Sequence, residues 1–240
     1  MIINNINQLE IKLFADGADI EKMLELSKKP YIAGLTTNPT LMRRSGVKDY
    51  KYFANRVLSQ IQDKPISFEV FSDDIGEMIK QAREIASWGK NVNVKIPITN
   101  SKGESTNRAV QILSQEGIHL NVTAILTIEQ VENVIKILDS KSNVFISVFA
   151  GRIADTGKDP IPLMKESLRI MKNHSNAKLI WASPREILNI IQANEIGCHV
   201  ITATSDILSK LNLLGKDLSE YSVETVNMFR NDAIASGYSI

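Results

Sequence analysis

The chain has 240 residues, a length that suits one large α/β unit with an extensive core better than two small domains. Its 28 Lys and Arg balance 27 Asp and Glu, and the formal charge of +1 gives no whole-molecule attraction to nucleic acid or an anionic membrane, while leaving a local anion pocket open. One cysteine, Cys198, excludes an intramolecular disulfide and fits a reducing compartment, and three scattered histidines (His119, His174, His199) lack metal-ligand spacing.

The lead Met1-Ile-Ile-Asn-Asn-Ile-Asn has no basic region followed by a long apolar run, and no apolar stretch has the length of a bilayer span, so the expectation is a soluble, cytoplasmic protein. Short apolar runs then alternate with helix-length amphipathic stretches, the pattern of repeated β-α units and a parallel sheet. The first strand covers 11–15 and ends at Asp16, followed by a helix over 19–26 with Asp19 as N-cap. A second strand over 32–35 runs into Thr36-Thr37-Asn38-Pro39. Pro39 biases Asn38 toward extended geometry, which predicts a loop there, with a helix over 49–60 beyond it. The third strand spans 66–70 with Glu69 in an otherwise apolar run, and a helix follows over 74–88. The fourth spans 92–97 and carries Lys95, and its helix spans 105–115 with Gly117 as the stop. Strands over 118–123, 144–148, 178–182 and 198–201 complete the set, with helices over 128–138, 161–172 and 184–193. Two further helices, over 205–214 and 218–235, exceed what closing a barrel requires.

Eight β-α units predict a single (β/α)8 TIM barrel over 1–240 with a helical extension over 204–240, against a doubly wound open sheet as the alternative. Asp16, Asn38, Glu69, Lys95, Asn121, Thr123, Ser147 and Ser183 all fall at or near the carboxyl ends of predicted strands. A barrel gathers those ends at one mouth, whereas an open sheet spreads them along an edge.

Lys95 is the residue most in need of a reason. Desolvation disfavours an ammonium, so a lysine at the end of a buried strand can supply a neutral amine that attacks a ketone and forms a Schiff base. The plainer reading is a lysine whose head snorkels from a strand end into water. Asp16 can exchange protons with a substrate hydroxyl, or can be a turn aspartate. Glu69 can activate water for imine chemistry, or can be a buried carboxylate paired with Lys95, and the two are compatible. Arg152 and Arg185 follow adjacent strands, and with Ser183 near a helix start they make a phosphate site by forked hydrogen bonds and helix-terminal amides, or are surface arginines. Neither GxGxxG nor a P-loop is present, so nucleotide binding has no positive support.

These segments together resemble the transaldolase family, particularly its short-chain members, which include the fructose-6-phosphate aldolases. Gly34-Leu-Thr-Thr-Asn-Pro-Thr40 and Val94-Lys95-Ile-Pro97 are the most specific parts. Asn121-Val-Thr123, Ser147-Val-Phe-Ala-Gly-Arg152 and Ala182-Ser-Pro-Arg185 support them in order along nearly the whole chain. The resemblance implies that Lys95 forms the Schiff base, Asp16 is the acid/base, and Glu69 with Thr123 holds a catalytic water. It places Asn38, Asn121 and Ser147 on the dihydroxyacetone part, with Phe149 beside it, and Arg152, Ser183 and Arg185 on phosphate. It further implies sugar-phosphate substrates, no metal or organic cofactor, no nucleic-acid or membrane partner, and a homo-oligomer such as the ring-paired decamers of short-chain members.

Glu69 and Phe149 resemble transaldolases, whereas the aldolases of the family carry glutamine and tyrosine there. Asp16 departs from the family in its Phe-Ala-Asp-Gly surroundings, and Pro184 stands where phenylalanine is usual. The implied reaction transfers dihydroxyacetone from fructose 6-phosphate or sedoheptulose 7-phosphate to an aldose phosphate. The alternatives are an aldolase releasing free dihydroxyacetone, action on another sugar phosphate, and a silent sugar-phosphate-binding barrel.

Overall fold

Alternation within the strands sets the architecture. In Val92–Pro97, Val92, Val94 and Ile96 belong to the apolar core beneath the helices, while Asn93 and Lys95 take the opposite parity and face the barrel interior. The computed structural model describes residues 3–240; Met1 and Ile2, part of the amino-terminal lead, lie outside the described residues. Eight parallel strands close a barrel in sequence order: β1 (Lys12–Asp16), β2 (Ile32–Thr36), β3 (Ile66–Glu69), β4 (Val92–Pro97), β5 (Leu120–Ile125), β6 (Val144–Val148), β7 (Ala177–Trp181) and β8 (Val200–Thr204). This is a TIM barrel, as the β-α repeat predicts, and the open-sheet alternative is excluded by the pairing of β1 with β8. Glu69 is in register with Lys95, and Lys95 with Asn121, so three polar residues from three strands arrive at one level.

Helices α1 (Ile20–Ser27), α2 (Pro39–Arg44), α3 (Tyr50–Gln60), α4 (Ile75–Ala86), α5 (Asn107–Gln115) and α6 (Ile128–Ile135) surround the first strands. The second half carries α7 (Ala150–Asp155), α8 (Ile161–Met171), α9 (Leu188–Glu195), α10 (Ser205–Leu208) and α11 (Leu218–Ala235). Asp19, Asp49 and Asp74 each accept a backbone N–H of the first turn, from Lys22, Tyr52 and Glu77, a cap worth about 1 kcal/mol each.

Four expectations need correction. The loop expected at Pro39 is instead the short helix α2, because proline at the first helical position loses no hydrogen bond; Asn38 stays extended and caps it through Leu41 N–H at 2.9 Å. A second short helix, α7, follows β6, where the sequence predicts no element. The helix expected from Pro184 begins only at Leu188. Ahead of it, the Asn189 side chain takes the N–H groups of Arg185 and Glu186 at 2.7 and 3.2 Å, so no helix-terminal amides stand at Ser183. The last strand runs to Thr204 rather than Ile201, and the helix expected over 205–214 is instead α10 followed by a 3-10 turn, Ser209–Leu213.

Inside the barrel a plug of Phe14, Ile180, Ala182 and Val200, flanked by Phe145 and Phe149, separates its two ends. Phe14 and Phe145 meet edge to face at 5.5 Å, and a Cβ on Gly34 would stand 2.5 Å from the Phe14 ring. Gly34→Ala is therefore expected to destabilise by about 1–3 kcal/mol through overpacking. In urea unfolding the penalty should shrink in a Phe14→Leu background; equal penalties in both backgrounds would remove the ring contact as its cause.

Candidate functional site

The carboxyl ends of the strands enclose a cavity of about 860 Å³. Lys95, Asp16, Glu69, Thr123, Asn38, Asn121, Ser147, Phe149, Arg152, Ser183 and Arg185 all line it. Residues spread over 170 positions of sequence thus share one chamber (16 to 185, about 170 apart by the barrel's closure).

Lys95 is 6% exposed, and its Nζ lies 3.1 Å from Glu69 Oε2 while donating to the Thr37 carbonyl at 2.8 Å. The pairing expected for a buried Glu69 is thus present. Glu69 is held from outside the barrel as well: its N–H donates to the Tyr50 hydroxyl at 2.8 Å, and that hydroxyl donates to the Glu69 carbonyl at 3.0 Å. Tyr50 stands among Phe68, Phe71 and Trp88, and burial pushes its phenol well above its ordinary value, keeping it a neutral donor. Nothing in the local sequence around Tyr50 marks it, because its role depends on α3 packing over β3.

Asp16 accepts from the Thr36 hydroxyl at 2.7 Å, and Thr36 and Thr202 hydroxyls lie 2.6 Å apart. A threonine has one proton to donate, so with Thr36 committed to Asp16 the Thr202 hydroxyl donates to Thr36. Thr36 and Thr202 are additions to the predicted set. Thr202 escapes sequence reading because the strand predicted over 198–201 stops one residue short of it; Thr36 reads as part of a loop rather than as the last inward position of β2.

The Ser147 hydroxyl donates to Asn121 Oδ1 at 2.6 Å, and Asn121 Nδ2 donates to Ser67 Oγ at 3.1 Å. Thr123 Oγ1 is buried with no hydrogen-bond partner among the described residues. Just beyond it β5 carries a bulge, with Ala124 at φ 61°, which turns Ala124 toward the cavity and returns Ile125 to the core.

Arg152 lies on α7 with its guanidinium 5.4 Å from the Phe149 ring centroid. Arg185 is forked onto Asp155, Nε to Oδ1 at 2.8 Å and Nη2 to Oδ2, which holds the Asp155 carboxyl below its ordinary value. Asp155, also missed from sequence, lines the same cavity. A Cβ on Gly151 would fall 1.6 Å from the Ser183 carbonyl oxygen, and Ser183 itself sits at φ 62°; α7 and the segment after β7 are therefore in direct backbone contact. Among the described residues no group of three or more His, Cys, Asp or Glu is placed to hold a metal ion, and no helix is long and apolar enough to cross a membrane.

Together these features define a (β/α)8 barrel with a lysine, three carboxylates (Asp16, Glu69 and Asp155) and three arginines (Arg44, Arg152 and Arg185) in its carboxyl mouth. A family model described as Transaldolase/Fructose-6-phosphate aldolase matches residues 13–238. The chain is 33% identical over 232 residues to a Thermoanaerobacter protein named "Probable transaldolase", covering 96% of this chain and 100% of the relative. Proteins of the same name from Caldicellulosiruptor saccharolyticus and Streptococcus agalactiae are 37% and 35% identical, covering 84% and 90% of this chain and 89% and 95% of theirs. The chain belongs to the transaldolase/fructose-6-phosphate aldolase family.

Burial pushes the Asp16 carboxyl above its ordinary value; the Lys95 charge and the Thr36 hydrogen bond oppose the shift and Glu69 reinforces it. The folded protein thus binds this proton more tightly than the unfolded chain, so the ionised carboxylate lowers stability above the unfolded value of 3.8, fully so once the folded value is passed. Asp16→Asn should be more stable than the wild type at neutral pH, with the difference closing as pH falls through 4. Urea unfolding across a pH series checks this; a wild-type advantage that grows with pH would mean the attraction of Lys95 outweighs burial.

Proposed function

We propose that this protein is a Schiff-base transaldolase, moving a dihydroxyacetone unit from a ketose phosphate such as fructose 6-phosphate or sedoheptulose 7-phosphate to an aldose phosphate. The observation that carries the reading is a buried lysine, 3.1 Å from the Glu69 carboxylate, sharing a chamber with the Asp16 carboxylate and with three arginines.

The Lys95 amine adds to the ketone carbon. Glu69 takes one proton from the Lys95 ammonium before the attack and returns it to the carbinolamine hydroxyl, which leaves as water held by Glu69 and the unpartnered Thr123 hydroxyl, so that a protonated imine remains. The imine withdraws the electron pair of the adjacent carbon–carbon bond as Asp16 removes the proton of the C4 hydroxyl, so the aldose phosphate leaves and a three-carbon enamine stays on the lysine. An incoming aldose phosphate accepts the enamine carbon, Asp16 returns its proton to the new alkoxide, and water releases the product ketose. The Thr202–Thr36–Asp16 hydroxyl chain orients the carboxylate through this cycle. Asn38, Asn121 and Ser147 bind the hydroxyls of the three-carbon part, and Arg152 and Arg185, with Ser183, grip the phosphate. Asp155 holds the Arg185 fork in plane until phosphate takes its place.

An aldolase releasing free dihydroxyacetone is the second reading. Glu69 and Phe149 favour transfer, since Phe149 offers no hydroxyl to protonate the enamine. Incubation with fructose 6-phosphate and borohydride should add a dihydroxyacetone-sized mass to Lys95, read by intact-mass spectrometry and peptide mapping, with no adduct in Lys95→Ala. Ketose consumption should require an acceptor aldose phosphate, and Asp16→Asn should lower turnover by about 10²–10⁴. Free dihydroxyacetone formed without acceptor would favour the aldolase; sugar phosphate bound with no adduct would favour a silent barrel.

We also read the chain as a homo-oligomer. No residue of α11 is buried, and Leu218, Val223, Val226, Phe229 and Ile234 are exposed on it, so a second copy is the fitting cover. Light scattering should show an oligomer that Val226→Glu/Phe229→Glu dissociates; a wild-type monomer would overturn the assignment.

A further inference from the structure

At the opposite end of the barrel, where the strands begin, lies a second cavity of about 420 Å³. The plug that includes Phe14, Phe145 and Val200 forms its floor and divides it from the catalytic mouth. Its wall carries Lys12 of β1, Lys178 of β7 and Lys90 of the turn before β4, against one carboxylate, Asp63. None of these lysines is among those that form ion pairs or side-chain hydrogen bonds within the described residues. Three unpaired ammonium groups around one concavity repel one another and raise its potential.

Asn93 adds a second, independent sign. It is 6% exposed, lines this cavity, and makes no side-chain hydrogen bond among the described residues. Its amide is not among the polar groups sealed off without a partner, so it opens onto the cavity with its donor free for a ligand. His119 contributes another: its Nδ1 accepts the Asn143 N–H at 3.3 Å, which places the proton of the neutral ring on Nε2. The wall is also pinned. Asn91 donates to the carbonyls of Ile61 and Lys64 at 2.9 and 2.8 Å, and Asn176 to those of Asp139 and Ser142 at 3.0 and 2.8 Å. The cavity thus combines a fixed rim with unused donors.

We propose that this cavity is an anion site separate from the catalytic mouth, taking a small phosphorylated ligand, with Lys12, Lys90 and Lys178 neutralising the phosphate and Asn93 and His119 donating to its oxygens. The proposal does not depend on the transaldolase reading, and its test uses no activity.

Isothermal titration of the intact protein with inorganic pyrophosphate is the measurement, paired with circular dichroism to verify folding. In Arg44→Ala/Arg152→Ala/Arg185→Ala, which removes the three arginines of the mouth, binding should persist. In Lys12→Gln/Lys178→Gln, and separately in Asn93→Leu, affinity in that background should fall at least tenfold. Lys141→Gln, a lysine in the turn before β6 that does not line the cavity, should leave it unchanged. Loss of all binding on removing the three arginines of the mouth would overturn the proposal. So would equal weakening by Lys141→Gln and by the paired cavity lysines, which would mark diffuse basal charge rather than a site.

Discussion

A charged amine inside a barrel is the constraint on which the rest of the mouth depends. Taking an ammonium out of water costs several kcal/mol even after relaxation, and only a close carboxylate and a well-placed carbonyl offset it. Lys95 has both, from Glu69 on the neighbouring strand and from Thr37 just beyond β2. These partners arrive together only if β2, β3 and β4 keep their register, and the backbone of Glu69 is tied in turn to Tyr50 on α3. The Lys95–Glu69 pair is thus supported by the packing of an outer helix as much as by its own strands.

The same strands use their two faces for different work. Outward residues such as Val94 and Val122 are fully buried under helices and supply the apolar core, while the inward parity of the same strands supplies Lys95, Asn121 and Thr123 at the mouth, and Asn93 below. Placement of polar residues in the interior is tolerable because each end of the barrel is wet and only the middle, around Phe14 and Phe145, is filled with rings.

That division explains what could be read from the chain alone. Strand identity and order follow from apolar runs broken at every second position, and the polar residues that break them near strand ends are the ones that meet in the mouth. Helix starts at Asp19, Asp49 and Asp74 were legible because a capping side chain acts within four residues. Less legible were features decided across the fold. Proline 39 reads as a breaker until one sees that it opens a helix, and the segment after β7 stays irregular because Asn189 satisfies two of its N–H groups. Thr202 and Asp155 are ordinary in sequence; the first matters because β8 closes against β1, the second because α7 lies beside Arg185.

The contact between Gly151 and the Ser183 carbonyl gives the two arginine-bearing segments no independent freedom. The backbone after β6 cannot be widened without displacing the backbone after β7, and the left-handed turn at Ser183 has to move with it. For anyone diversifying this protein, residues 151 and 183 form one coupled unit. A library that randomises one of these segments alone will yield mostly collapsed or loosened mouths, whereas paired insertions in both offer a route to mouths of different size.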